Sequence, residues 1–263
     1  MSAAVAGTRA PLLPMLAAQT RAEFLKLWRV PAFSATSLLL PVMFYAFIGL
    51  QSASQQIRPG VSFGAYFLAS MAAYAVSNMM VFSFGIQVAN ERGMKMDLLQ
   101  RATPMPTLLY LTAKVLNALG FSLLALVILL AFAYFAGGVH LSAGTYLQLT
   151  WRLLLGSLAF VAVGFAMGYL SGPNSAVAVV NLIYLPTAFA SGLFFPLQLL
   201  PDFIRRLAPY LPLYRYGQLG YDAVGVKLDD PLLTDWLYLG AYAAVFFALA
   251  LWAFRQEEAR KFS

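Results

Sequence analysis

The residues of this chain most able to do chemistry are few and unevenly placed. Within the stretch NERGMKMDLLQRATPMPTLL, from Asn90 to Leu109, stand Glu91, Arg92, Lys95, Asp97 and Arg101. The whole chain has only 17 Lys and Arg and 10 Asp and Glu among 263 residues, so this is a concentration of scarce charge. On a helix from Met94 to Thr103, Met94, Leu98 and Ala102 align, with Leu99 beside them. Asp97, Gln100 and Arg101 form the opposite side. Asp97 and Arg101 make an i,i+4 acid-to-base pair, which adds about 0.5 kcal/mol at most. Gly93 permits a turn before this helix, and Pro104 and Pro106 bar its continuation. A greasy face with a charged rim suits docking. The plainer alternative is a solvated loop that carries ordinary orienting charges.

Catalytic arrangements are missing elsewhere. His140 is the only histidine, and it falls in a loop between two apolar runs. Ser191-Gly192 therefore has no histidine base within a span. No glycine-rich loop ending in Gly-Lys-Ser/Thr is present to cradle ATP. Without cysteine there is no disulfide, thiol catalysis or thiolate metal site. The chain is expected to be no enzyme and to bind no metal.

These residues sit in a chain that is 61% hydrophobic and 10% charged, against about 25% charge in a soluble domain. A spanning helix needs roughly 20 mostly apolar residues. Six segments meet that length, at about 32–50, 63–88, 115–136, 147–170, 175–195 and 233–254. The alternating ten-residue segments of a β-barrel do not occur. The whole chain, 1–263, reads as one all-α membrane domain with no internal repeat. The first thirty residues lack a signal peptide's compact apolar core and cleavage site.

The net charge of +7 adjoins the spans and leaves no soluble basic surface for nucleic acid. Arg9, Arg21, Lys26 and Arg29 precede the first span. Arg92, Lys95, Arg101 and Lys114 lie between the second and third, and Arg255, Arg260 and Lys261 follow the last. The positive-inside rule then puts both termini and the charged strip in the cytoplasm. Arg58, Arg152, Arg205, Arg206, Arg215 and Lys227 fall on the other side.

Span interiors carry no ionisable residue, and Arg152 and Asp235 fall at span ends, where snorkelling suffices. That argues against ion-coupled transport. Asn78, Asn181, Ser77, Ser191 and several tyrosines lie at mid-membrane, where bonding a neighbouring helix is the simpler role. Pro41 and Pro186 are expected to kink spans one and five. In PMLAAQTRAEFLKLWRVP, from Pro14 to Pro31, Leu16, Phe24, Leu27 and Trp28 share one helical face, while Lys26 and Arg29 point away. This reads as a helix along the membrane surface. Beyond span five, Asp202 is placed to cap a short helix after Pro201. A Tyr- and Gly-rich segment follows from about Leu213 to Val226. Neither is long enough to cross, and both are expected to dip into the outer leaflet and return.

Two segments carry a family resemblance. NERGMKMDLLQRATPMP resembles the Glu-Arg–Gly–Leu-Leu–Thr-Pro segment between spans two and three of ABC-2 type (type V) ABC exporter permease subunits. SGLFFPLQLLPDFIRRLAPYLPLYRYGQLGYDA resembles that family's Ser-Gly–Phe-Pro–Leu-Pro–Pro–Tyr signature. Their order and spacing in a six-span frame extend the likeness over nearly the whole chain, closest to the drug-efflux branch. The commoner first segment has a Glu or Lys before its glycine, whereas Gly93 here follows Arg92 directly.

The resemblance implies an exporter permease in the inner (cytoplasmic) membrane, dimeric with a like or unlike second permease chain. Each chain would grip a separate ABC ATPase subunit that holds the ATP and Mg. Leu16, Phe24, Leu27 and Trp28 would form the connecting helix. Met94, Leu98 and Leu99 would enter the ATPase groove from the coupling helix, with Glu91, Arg92 and Arg101 on its polar rim. The cargo path would lie at the dimer axis and use spans two and five, which makes Asn78, Asn181, Tyr184 and Phe189 its candidate residues. The expected cargo is a hydrophobic or amphipathic compound, such as a drug, antibiotic or lipid-like molecule. A lipid-linked polysaccharide exporter, a partner-free secondary transporter and a membrane sensor are the alternatives.

Overall fold

The computed structural model describes residues 11–29, 31–58, 60–96, 105–228 and 230–261. It begins with α1 (Leu12–Trp28) and α2 (Pro31–Phe44). The α2 helix runs on through a widened π turn, Tyr45–Gly49, and a tight turn, Leu50–Ser52. A small hairpin of β1 (Gln56–Arg58) and β2 (Val61–Ser62) leads into α3 (Phe63–Gly93). Next come α4 (Thr107–Phe135), α5 (Ala143–Gly156), α6 (Leu158–Leu170) and α7 (Ala176–Ala190). The short α8 (Asp202–Leu207) precedes α9 (Pro212–Ala223) and α10 (Leu232–Lys261).

The apolar runs become helices because hydrocarbon leaves backbone groups no other partners. Among the described residues, four helices are long and apolar enough to cross a membrane: Phe63–Gly93, Leu108–Phe135, Ala143–Leu170 and Leu232–Gln256. The third is α5 and α6 in sequence, interrupted only at Ser157, whose hydroxyl donates to the Leu154 carbonyl at 2.7 Å. At the places of the first and fifth expected spans stand shorter apolar helices, Ser37–Ser52 and Ala176–Ala190. The expected all-α fold also acquires the β1–β2 hairpin. Its strands of three and two residues are too short to show a period, and Gly60, at φ 84, supplies the left-handed turn between them.

Helix α3 is the axis of the chain. Its membrane-length stretch is 94% buried, under α2, α4, α6, α7 and α9. Ala65, Ala69, Ala72, Ala73 and Ala75 are all buried along it, and small side chains let helices approach closely where apolar attraction alone cannot hold them together. The tightest approach is to α6. A Cβ at Gly164 would lie 2.7 Å from Phe84 Cβ and 3.1 Å from the Val81 carbonyl oxygen. One at Gly168 would lie 3.0 Å from the Phe84 and Gly85 carbonyl oxygens. Gly164→Ala is therefore expected to destabilise the purified protein by about 1–3 kcal/mol, read as a lower thermal midpoint. Gly240→Ala, where an added Cβ meets nothing within 4 Å, should be neutral or better. Equal midpoints for the two variants would refute the close approach.

Asp202 starts α8 instead of capping it; the N-cap is Pro201, and Asp202 pairs with Arg205. Helix α9 is a wedge among α3, α5 and α10. The Tyr216 hydroxyl donates to the Leu153 carbonyl at 2.7 Å, and the Tyr221 hydroxyl lies 2.6 Å from Ser70 Oγ. Arg152 and Asp235 both find charged partners within the chain. Arg152 pairs with Asp222 at 2.5 Å, and Asp235 is fully buried against Arg215 at 3.2 Å. Arg215 also pairs with Asp230 at 2.7 Å and lies 4.3 Å over the Tyr238 ring. Burial works against its charge, but the hydrogen bonds and fields of Asp230 and Asp235 outweigh it and raise its pKa above the ordinary value.

Candidate functional site

A cavity of about 580 Å³ lies among α1, α2, α3 and α7, with Lys26 and Leu27 lining it from α1. Along α3 it is lined by Tyr74, Asn78, Phe82, Ile86, Gln87, Asn90 and Glu91. From residue 74 to 91 that stripe runs about 25 Å at helical rise. Helix α2 adds Ser37, Leu40 and Pro41, and α7 adds Val177, Asn181 and Leu185. Pro41 has no N–H to give the Ser37 carbonyl four residues back, so the helix wall loses one internal bond inside the cavity. The rim reaches the surface at Asn90, Met94 and Val177, which are exposed. The walls are apolar with spaced amides, a composition that can hold an apolar molecule and orient it by a few hydrogen bonds.

The family resemblance implied four path residues. Asn78 and Asn181 line the cavity together, and the Asn181 amide donates to the Val177 carbonyl at 2.8 Å. Tyr184 stands outside the lining, buried, with its hydroxyl 2.9 Å from Ser77 Oγ and 3.1 Å from the Tyr74 carbonyl. Phe189 is stacked on Phe194 at 4.3 Å, also outside the lining. Gln87 and Asn90 were missed. The signal was present, since Asn78, Phe82, Ile86 and Asn90 recur every four residues on one face.

The Glu91 end of the cavity meets a buried ionic node. Glu91 accepts from Lys26 Nζ at 2.5 Å, from Lys114 Nζ at 2.8 Å, and from the Tyr110 hydroxyl. Glu23 lies 3.5 Å from Lys114 and 3.8 Å from Lys26. The Lys114 and Glu23 side chains are only 4% and 5% exposed, so neither charge is answered by water. The node ties α1 to the end of α3 and the start of α4. Lys26 thus does not point away from the protein as its helical phase suggested. A carboxylate 65 positions on turns it inward.

Arg92, the neighbour of Glu91, donates to the Gly168 carbonyl at 2.5 Å and lies 5.0 Å over the Tyr169 ring. It rests on the carboxyl end of α6, where the helix dipole favours a cation. Two of the three residues expected on the docking rim, Glu91 and Arg92, are therefore engaged within the chain. Gly93 ends α3 against Pro173; a Cβ there would come 2.5 Å from Pro173 Cγ. The left-handed turn falls two residues later, at Lys95, φ 54. Met94 is 61% exposed. Leu98, Leu99 and Arg101 lie outside the described residues.

Of the expected apolar face of α1, Leu27 is buried, whereas Phe24 and Trp28 stay exposed, Phe24 stacking 4.8 Å from Phe121 and 5.9 Å from Trp28. Leu16 lines a groove between α1 and α4. No group of three or more metal-ligating side chains occurs among the described residues.

A central helix, a lined cavity beside it and a charge node under its end make a membrane body around a compartment. Comparison with known proteins says which kind. The profile of the ABC-2 family transporter proteins matches residues 48–252. The chain belongs to the ABC-2 transporter family. It is also 25% identical, over 93% of its length and 99% of the relative's, to a Bacillus subtilis (strain 168) protein named as the transport permease YvfS. This ABC-2 chain is thus a multi-pass membrane permease, and its family implies an ABC ATPase as partner. Glu91 and Arg92, on which the resemblance leaned, tie the end of α3 to α1, α4 and α6.

Proposed function

We propose that this chain is the permease subunit of an ATP-driven exporter for a hydrophobic or amphipathic compound, powered by a separate ATPase subunit. The observation that carries the reading is the cavity, with apolar walls, spaced amides and its lower end on the Glu91 node. In this reading the two shorter apolar helices complete six crossings, and α8 and α9 form the outer re-entrant segment. Both termini face the cytoplasm of the inner membrane. Two permease chains face each other across the side where Val177 and Asn181 reach the surface.

Met94, Leu98, Leu99 and Arg101 contact the ATPase. Glu91 and Arg92 are positioning residues that fix the strip to the membrane body. When the ATPase pair closes on ATP, the strip and α1 move as one because the node joins them, and the cavity changes the side to which it opens.

The test is reconstitution in vesicles with the ATPase subunit. Accumulation of an apolar dye is expected only with ATP and both subunits. Leu98→Asp with Leu99→Asp should reduce ATPase co-purification at least tenfold while insertion stays normal. Dye movement by the chain alone, driven by a proton or sodium gradient, would overturn the proposal.

A further inference from the structure

We infer that the groove between α1 and the start of α4 holds one anionic glycerophospholipid of the membrane leaflet along which α1 lies. The groove measures about 550 Å³ and is lined by Leu13, Leu16, Ala17 and Phe24 of α1 and by Leu116 and Gly120 of α4. Its polar groups are Thr20, Arg21 and Asn117.

Thr20 is satisfied by the Leu16 carbonyl at 2.8 Å. Asn117 is only 3% exposed, yet its amide oxygen has no hydrogen-bond partner. A buried amide left in that state is costly, so an unfilled partner is indicated. Arg21 is exposed at the groove and has no acidic partner among the described residues. Thus an unanswered cation and an unanswered buried amide bracket an apolar slot.

The surroundings say what fills it. Leu12, Leu13, Leu25 and Trp28 leave α1 with large exposed apolar surface, as a helix lying in the headgroup boundary does. A lipid phosphate answers Arg21, and a headgroup hydroxyl, which can donate, answers the Asn117 amide oxygen. An acyl chain fills the slot between Leu16, Phe24 and Leu116. A zwitterionic lipid offers the same phosphate, but its own ammonium group competes with Arg21 for it, so a net-anionic headgroup is preferred. At Gly120 a Cβ would meet nothing within 4 Å, so the slot is open there.

The experiment uses the full chain purified from nanodiscs of mixed phosphatidylglycerol and phosphatidylcholine, with retained lipid read by native mass spectrometry. Retention of about one phosphatidylglycerol per chain, in preference to phosphatidylcholine, is expected. One basic group near an anionic surface is worth roughly a fivefold change in binding. Arg21→Gln should lower retention by about that factor, and Arg21→Lys should keep it. Gly120→Leu fills the open space without displacing backbone and should abolish retention. Phosphatidylglycerol should raise the thermal midpoint of the wild-type chain but not of Gly120→Leu. Equal retention of the two lipids, or undiminished retention in Gly120→Leu, would overturn the assignment. The readout needs no cargo and no ATPase, so it stands apart from the transport reading.

Discussion

Replacing Glu91 by leucine is expected to cost about 3–5 kcal/mol of stability, because it strips the main partner from a buried cation. Lys114 would keep Glu23 as its one carboxylate among the described residues, at 3.5 Å, with the Gln87 amide oxygen at 3.5 Å, and the Tyr110 hydroxyl would lose its acceptor. Lys26 is 40% exposed and can turn to water, so most of the cost falls on Lys114. The companion variant, Glu91→Leu with Lys114→Met, separates stability from function. It removes one acid and one base and leaves Glu23 and Lys26, 3.8 Å apart, to answer each other. Apolar replacement of both members of a buried pair is commonly neutral, so the double variant should regain most of the thermal midpoint. It should not regain transport, because the charged tie from α1 to the end of α3 is gone. Exchanging the two charges should not rescue either property. A lysine at 91 would face Lys26, and a glutamate at 114 would face Glu23. A single variant as stable as the wild type, or a double variant that transports normally, would show that the node is not the link.

What the sequence made legible follows from which forces are local. Membrane helices satisfy their own backbone, so the apolar runs at α3, α4, α5 with α6, and α10 could be read directly. The stripe of α1 was visible at Leu27 because helical period is also local. Partners across the chain were not visible. Lys26 to Glu91, Arg152 to Asp222 and Arg215 to Asp235 each join different elements. Nothing in the spacing of either partner announces the other. For the same reason Glu91 and Arg92 looked like free rim charges when each already has an internal partner. Asn78 and Asn181 became candidates through the family resemblance, which put the path along spans two and five; their residue type alone pointed to helix–helix bonding. Which polar residues share a cavity was not legible, since Tyr184 and Asn181 differ by less than one turn of α7 yet only Asn181 lines it.

That difference gives the second large effect. Asn181→Trp should fill the cavity from the α7 side and reduce ATP-driven transport at least tenfold in vesicles, with ATPase co-purification unchanged. The cavity is within the range of ordinary ligand pockets, roughly 300–1,000 Å³, so one indole takes a large share of it. Asn78→Trp should act likewise but also strain the packing, because Asn78 is only 8% exposed on the central helix. Val245→Trp adds the same bulk to the outer face of α10, where Val245 is 63% exposed, and should leave transport intact. A polar substitution sharpens the reading. Asn181→Leu keeps the space but removes the amide, so it should spare purely apolar cargo and weaken cargo that carries a hydrogen-bonding group. Cargo indifferent to both Asn181→Trp and Asn78→Trp would have to cross elsewhere, and the cavity would then be packing space between helices.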